Sequence, residues 1–137
     1  MINEDTEIAL EEFQIYGDPN QQGLLFAALV AARAEIKPPK LDGTNPHFRS
    51  RYVTLAGVIE SLYPAMSNNG LHPLQAPVAG SLLTVLIHEG GARMQFRSPL
   101  PELGDLQKFG SALTYQKRYV LASLFVIAGQ EDDDANS

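Results

Sequence analysis

SLLTVLIHEGGARMQFRS, residues 81–98, decides the fold class, because it reads as two strands and the turn between them. Residues 81–88 are dominated by Leu, Val, Ile and Thr, and Glu89, Gly90 and Gly91 supply the chemistry of a hairpin turn. Beyond the turn, Ala92, Met94 and Phe96 alternate with Arg93, Gln95 and Arg97, the period of a sheet with one face in the core and one in water. Arg93 and Arg97 therefore share the open face. Just upstream, LHPLQA from Leu71 is a third strand candidate, and the expectation is a three-stranded antiparallel sheet.

Helices are expected on both sides of these strands. Upstream, Thr54 is a plausible N-cap for a helix that ends at Asn68, Asn69 and Gly70, with Pro64 expected to interrupt or kink it. Before it, KLDGTNPHFRSRY, residues 40–52, begins as a loop and passes into a short extended piece. The run from Gln21 to Ile36 is rich in Ala and Leu and is stopped by Pro38 and Pro39, so it is the first helix. Its apolar residues fall on most sides, which suits burial or a neighbouring subunit. Downstream, after Pro99 and Pro101, Asp105 to Ala128 reads as a long final helix with a break expected near Gly110. The order defines an α+β domain with helices flanking the sheet. The expected division is an acidic, loosely ordered lead-in over 1–19, one domain over 20–129, and an acidic tail over 130–137.

With 137 residues, 45% of them apolar, the chain suits one domain with a genuine core. Cysteine is absent, which excludes a disulfide framework, a thiolate nucleophile and cysteine metal sites, and fits a reducing, intracellular setting. The acidic N-terminus is unlike a secretory signal, and no stretch approaches the roughly 18 apolar residues of a membrane span, so a cytoplasmic location is expected. The net charge of −6 argues at face value against a nucleic-acid partner. However, all ten basic residues lie between Arg33 and Arg118 and face six acidic ones there, a local balance of +4. A positive middle between acidic ends is compatible with phosphate binding.

Two segments of that middle combine cations with aromatic rings. On the final helix, Ser111, Thr114, Tyr115 and Arg118 fall at i, i+3, i+4 and i+7, with Lys117 beside them and Lys108 one turn before. Ala112, Tyr119, Val120, Ser123, Leu124 and Ile127 fall on a side suited to packing on the sheet, which places Tyr119 in the core. Such a polar stripe could hold a phosphate backbone and stack a base, or it could be an ordinary solvated face. In the loop, Phe48 and Tyr52 interleave with Arg49 and Arg51, giving planar groups beside guanidinium groups that match phosphate oxygens. The alternative is a surface loop anchored by two buried aromatics.

These residues also carry a resemblance. NPHFRSRYVTLAGVIESLYPAMSNNGL, residues 45–71, resembles a block of the Erf family of recombination proteins, in which Asn-Pro, an aromatic, a basic-Ser-basic-Tyr run and Thr-Leu open a helix. GSALTYQKRYVLASLFVIAGQEDDDAN, residues 110–136, is similar to the family's second block: Gly-Ser-Ala-Leu-Thr-Tyr, two variable residues, Arg-Tyr, an apolar helix and an acidic end. The resemblance spans about residues 20–136. It implies a phage or prophage protein that binds single-stranded DNA, anneals complementary strands without ATP, and assembles into rings or helical filaments. It also implies the β-β-β-α core of annealing proteins. The family pattern falls on Asn45, Phe48, Arg49, Ser50, Arg51, Tyr52 and Thr54, and on Gly110, Ser111, Thr114, Tyr115, Arg118 and Tyr119. Lys117 and His47 are looser fits, and relatives often continue past the acidic stretch.

Other function classes fare worse. His47, His72 and His88 have no zinc-site spacing, and neither a nucleophile elbow nor a phosphate-binding glycine loop occurs, so no enzyme, metal or cofactor is expected. A passive single-strand-binding module and a protein-interaction subunit remain as alternatives. The acidic run Glu131 to Asp134 is either a solubilising end or a segment that binds a divalent metal, recruits a basic partner or occupies the DNA groove. The best phosphate contacts are Arg49, Arg51, Lys117 and Arg118, with Tyr115 and Phe48 as stacking groups and Arg93 and Arg97 in second place. A nuclease or a host single-strand-binding protein is a candidate partner.

Overall fold

A computed structural model of the chain describes residues 13–44 and 51–128. The hairpin read from residues 81–98 is present as β5 (Ser81–His88) and β6 (Arg93–Pro99), paired antiparallel with Leu86 opposite Met94 and Thr84 opposite Phe96. Gly91 takes φ 110° in the turn, which a side chain would strain. β4 (Leu71–Val78) joins β5 through the two-residue turn Ala79–Gly80, with both φ values positive at 48° and 77°. With Val78 opposite Ser81 as the closing pair, alternation puts Pro73 and Pro77 at positions whose backbone nitrogens face away from β5. Those prolines blunt that edge of the sheet against further strand addition.

The sheet has four strands rather than three. β1 (Phe13–Tyr16) pairs antiparallel with β6, giving the order β1-β6-β5-β4. Phe13 stacks on Phe96 with ring centroids 5.9 Å apart, and the Arg93 guanidinium lies 4.1 Å from the centroid of the Tyr16 ring. These cross-strand contacts order a segment that sequence placed in a loosely ordered lead-in.

Helix α1 (Pro19–Glu35) starts two residues earlier than expected because Asp18 and Gln21 form a reciprocal capping box, with Pro19 in the first turn. Helix α2 (Leu55–Asn68) is capped by the Thr54 hydroxyl as expected and runs through Pro64 unbroken; Gly70, at φ 68°, follows its end. Helix α3 (Leu106–Leu124) is capped by the Asp105 carboxylate and passes through Gly110 without a break. It stops short of Ala128: Val126 N–H bonds the Ser123 carbonyl and Ile127 N–H bonds that of Ala122, a Schellman ending with Val126 at φ 56°.

The three helices of the described residues all contribute to the core, on one face of the sheet. Leu25 and Ala32 from α1, Val58, Leu62 and Met66 from α2 and Leu121 from α3 pack with Leu71 and Leu86, with Ile15 and Met94 against them. A second cluster sets Val120 with Leu82 and Leu100, against Phe96, Phe109 and Leu113. The registers put Tyr16, Arg93, Ile87 and His72 in one row of the opposite face, and Arg97, Leu83 and Ala76 in another. The protein is thus α+β, as sequence implied. Between α1 and α2 the expected loop and short extended piece form a ribbon, in which β3 (Arg51–Tyr52) pairs with β2 (Gly43–Thr44), a strand that was read as loop.

Candidate nucleic-acid interface

The ribbon is seated from two directions. At its base, the Asp42 carboxylate accepts from the Thr54 backbone N–H at 2.8 Å and from the Thr54 hydroxyl at 2.9 Å. The same hydroxyl accepts from the Gly57 N–H at 3.1 Å, so the ribbon is tied to the first turn of α2. These two donors from Thr54 hold the Asp42 carboxyl below its usual range. A Cβ at Gly57 would stand 3.0 Å from both the carboxylate and Val53, so the turn fits closely around a glycine.

On its other side the ribbon meets α3. The Tyr52 ring lies directly on Gly43, where a Cβ would come within 2.5 Å of the ring Cζ. The Arg118 guanidinium stands 4.7 Å from the centroid of that ring, and its Nη1 donates to the Val53 carbonyl at 3.2 Å. The same guanidinium is 4.9 Å from the Tyr115 ring and 5.4 Å from the Tyr119 ring. Tyr115 and Tyr119 face each other at 4.6 Å, and the Tyr115 hydroxyl donates to the Tyr119 hydroxyl at 3.0 Å. That bond raises the Tyr115 pKa above its ordinary value; burial and Tyr119 charge add to it, and Arg118 opposes it. Both rings stand half in solvent, at 53% and 47% exposure.

The residues named from sequence therefore fall in several places. Lys108, Ser111, Thr114 and Tyr115 line one exposed stripe of α3, with Arg118 partly buried at its end. Thr114 donates its hydroxyl back to the Gly110 carbonyl at 3.1 Å. From the ribbon, Tyr52 meets this surface at Arg118, while Arg51, its neighbour in the strand, is exposed; Phe48 and Arg49 belong to residues 45–50, outside those described. Lys117, next to the stripe, lines a groove with Leu55, Ile59, Tyr63, Pro73 and Gln75. Arg93 and Arg97 lie on the sheet face opposite the helices, as the alternation predicted, and the Arg93 Nε donates to Gln95 at 3.2 Å. Glu131 to Asp134, and with them each role weighed for the tail, also lie outside the described residues.

Two residues of the surface were misplaced or missed in the sequence. Tyr119 is exposed rather than in the core, because α3 packs through Leu113, Val120 and Leu121 and leaves Tyr119 at the edge of the exposed stripe. Its spacing of four from Tyr115 was the available signal. Asp42 had no signal beyond its place in a loop.

Fold and surface together define an α+β protein that presents paired tyrosines and cations where one helix meets a small β-ribbon. Residues 25–137 match the sequence profile of the ERF superfamily, and the chain belongs to that family, one of phage-type recombination and annealing proteins. Among curated proteins and solved structures none matches the chain. Among the described residues no helix is long and apolar enough to cross a membrane.

Proposed function

We propose that this protein binds single-stranded DNA and promotes annealing of complementary strands, without nucleotide hydrolysis or other catalysis. The observation that carries the reading is the half-exposed Tyr115–Tyr119 pair around Arg118, on the helix stripe that also carries the exposed Lys108, because it sets aromatic faces and cations on one surface. Single-strand binders combine these two elements: cations that follow the backbone, and rings worth roughly 1–3 kcal/mol per stacked base. Arg49, Arg51 and Lys108 neutralise phosphates in this scheme, Tyr115 and Tyr119 stack bases, and Ser111 and Thr114 add hydroxyls. Copies assembled as a ring or filament hold one strand with its bases accessible, and the second strand pairs through its own stacking energy of about 1.4 kcal/mol per step. Family membership supports this reading and, with it, a phage or prophage origin and action in the cytoplasm of a bacterial host.

The test mixes two complementary labelled oligonucleotides at moderate salt and follows duplex formation and single-strand binding together. Faster pairing that is lost when Arg49, Arg51 and Lys108 are neutralised supports annealing at this surface. Binding without acceleration makes the protein a passive single-strand binder, and no binding at low salt removes the nucleic-acid reading and leaves a protein-interaction subunit.

A further inference from the structure

Arg118 differs from the other cations on this surface in what surrounds its guanidinium. Three tyrosine rings, Tyr52, Tyr115 and Tyr119, lie with centroids 4.7, 4.9 and 5.4 Å from its Cζ, and the Val53 carbonyl takes one of its N–H groups. Arg51 and Lys108 are exposed, while Arg118 is partly buried. A phosphate reaching Arg118 has to share a group already engaged by a carbonyl and flanked by aromatic faces.

The element it touches needs such a partner. Among the described residues β2 and β3 pair at Gly43 with Tyr52 and Thr44 with Arg51. An isolated two-stranded ribbon is marginally stable at best in water. Asp42 and Thr54 secure its base on α2, and the layered contact of Gly43, Tyr52 and Arg118 secures it on α3. The ribbon in turn carries Arg51 and, through Thr44 and Arg51, both ends of the segment that contains Phe48 and Arg49.

We infer that Arg118 is a positioning residue: its planar guanidinium clasps the β2–β3 ribbon to α3, and so holds the Tyr52 end of the ribbon beside the Tyr115–Tyr119 pair, without itself neutralising a phosphate. The geometry requires an arginine, since a lysine keeps the charge but has no planar face to lie between rings and no forked donors. The consequence for the DNA reading, on which this part of the inference rests, is that loss of Arg118 weakens binding without removing a charge contact.

The experiment uses the full chain with Arg118→Gln and Arg118→Lys. In the DNA-free protein, amide hydrogen exchange at Gly43, Thr44 and Arg51 to Val53 is expected to quicken on the order of tenfold in both variants, with β4 to β6 unchanged. Binding to an oligothymidylate is expected to weaken in both, while the slope of log affinity against log salt stays at the wild-type value. A true phosphate contact behaves differently: its loss flattens that slope by about 0.7. A flattened slope in R118Q, with unaltered ribbon exchange and binding restored in R118K, would overturn the inference. R118K, which keeps charge and stem, covers the case in which R118Q does not fold. A wild-type protein that binds no oligonucleotide would sink the DNA reading alone, and the exchange measurement would then decide the clasp by itself.

Discussion

Replacing Tyr115 and Tyr119 together by alanine removes the two aromatic faces on which the DNA reading depends. The residues are 53% and 47% exposed, and their rings lie 4.6 Å apart and tilted by 40°, so they are counted as one stacking site instead of two. One base stacked on that site is worth about 1–3 kcal/mol, which corresponds to a dissociation constant raised about 5-fold to 150-fold. The assay is fluorescence anisotropy of a labelled oligonucleotide at fixed salt, with the fold checked by circular dichroism. Tyr115→Phe with Tyr119→Phe is the companion variant: it deletes the hydroxyl-to-hydroxyl bond but keeps both faces, and also keeps rings beside Arg118. Stacking predicts near-normal binding for the phenylalanine pair and the full loss for the alanine pair. An alanine pair that binds within twofold of wild type, while still folded, refutes the stacking site. Equal losses in the two double variants would assign the effect to the hydroxyl groups.

Gly43→Ala sets a Cβ 2.5 Å from Tyr52 Cζ and has to displace a ring that Arg118 covers; a stability loss of about 1–3 kcal/mol in urea unfolding is expected, with weaker oligonucleotide binding. Val126→Gly relieves a β-branched residue at φ 56° and 80% exposure, so a gain of about 1 kcal/mol, read as a melting temperature raised by a few degrees, is expected. Asp42 has a folded pKa below its ordinary 3.8, so its stabilising effect is present above that value and is lost as pH falls through the lower, folded one. Asp42→Asn should therefore unfold at lower urea than wild type at neutral pH, with the gap closing in acid; a gap independent of pH would contradict the assignment.

Some features were legible because they are local. Thr54 caps α2 through its own hydroxyl, the Glu89-Gly90-Gly91 turn has the residues a hairpin turn takes, and the alternation from Ala92 to Arg97 follows from the pleat of a single strand. β1 was not legible, because FQIY is short, follows an acidic run, and becomes a strand only through pairing with β6 some eighty residues away in sequence. Tyr119 was assigned to the wrong side of its helix because tyrosine is apolar enough for a core and polar enough for a surface. The choice fell to the packing of Val120 and Leu121 against their clusters.

Arg118 shows the division most plainly. Sequence determined that it follows a tyrosine by three residues and precedes one by one, on a helix with a cationic stripe, within the stretch 25–137 that matches the family. Tertiary structure alone decided that its guanidinium meets Tyr52 and the Val53 carbonyl, 65 residues earlier in the chain, and that Lys117, its neighbour, turns into a different groove. Helical spacing specifies which side chains share a stripe, since it depends only on residues a few positions apart. What a stripe faces depends on how helices, ribbon and sheet close around a common core, and that is a property of the whole chain at once.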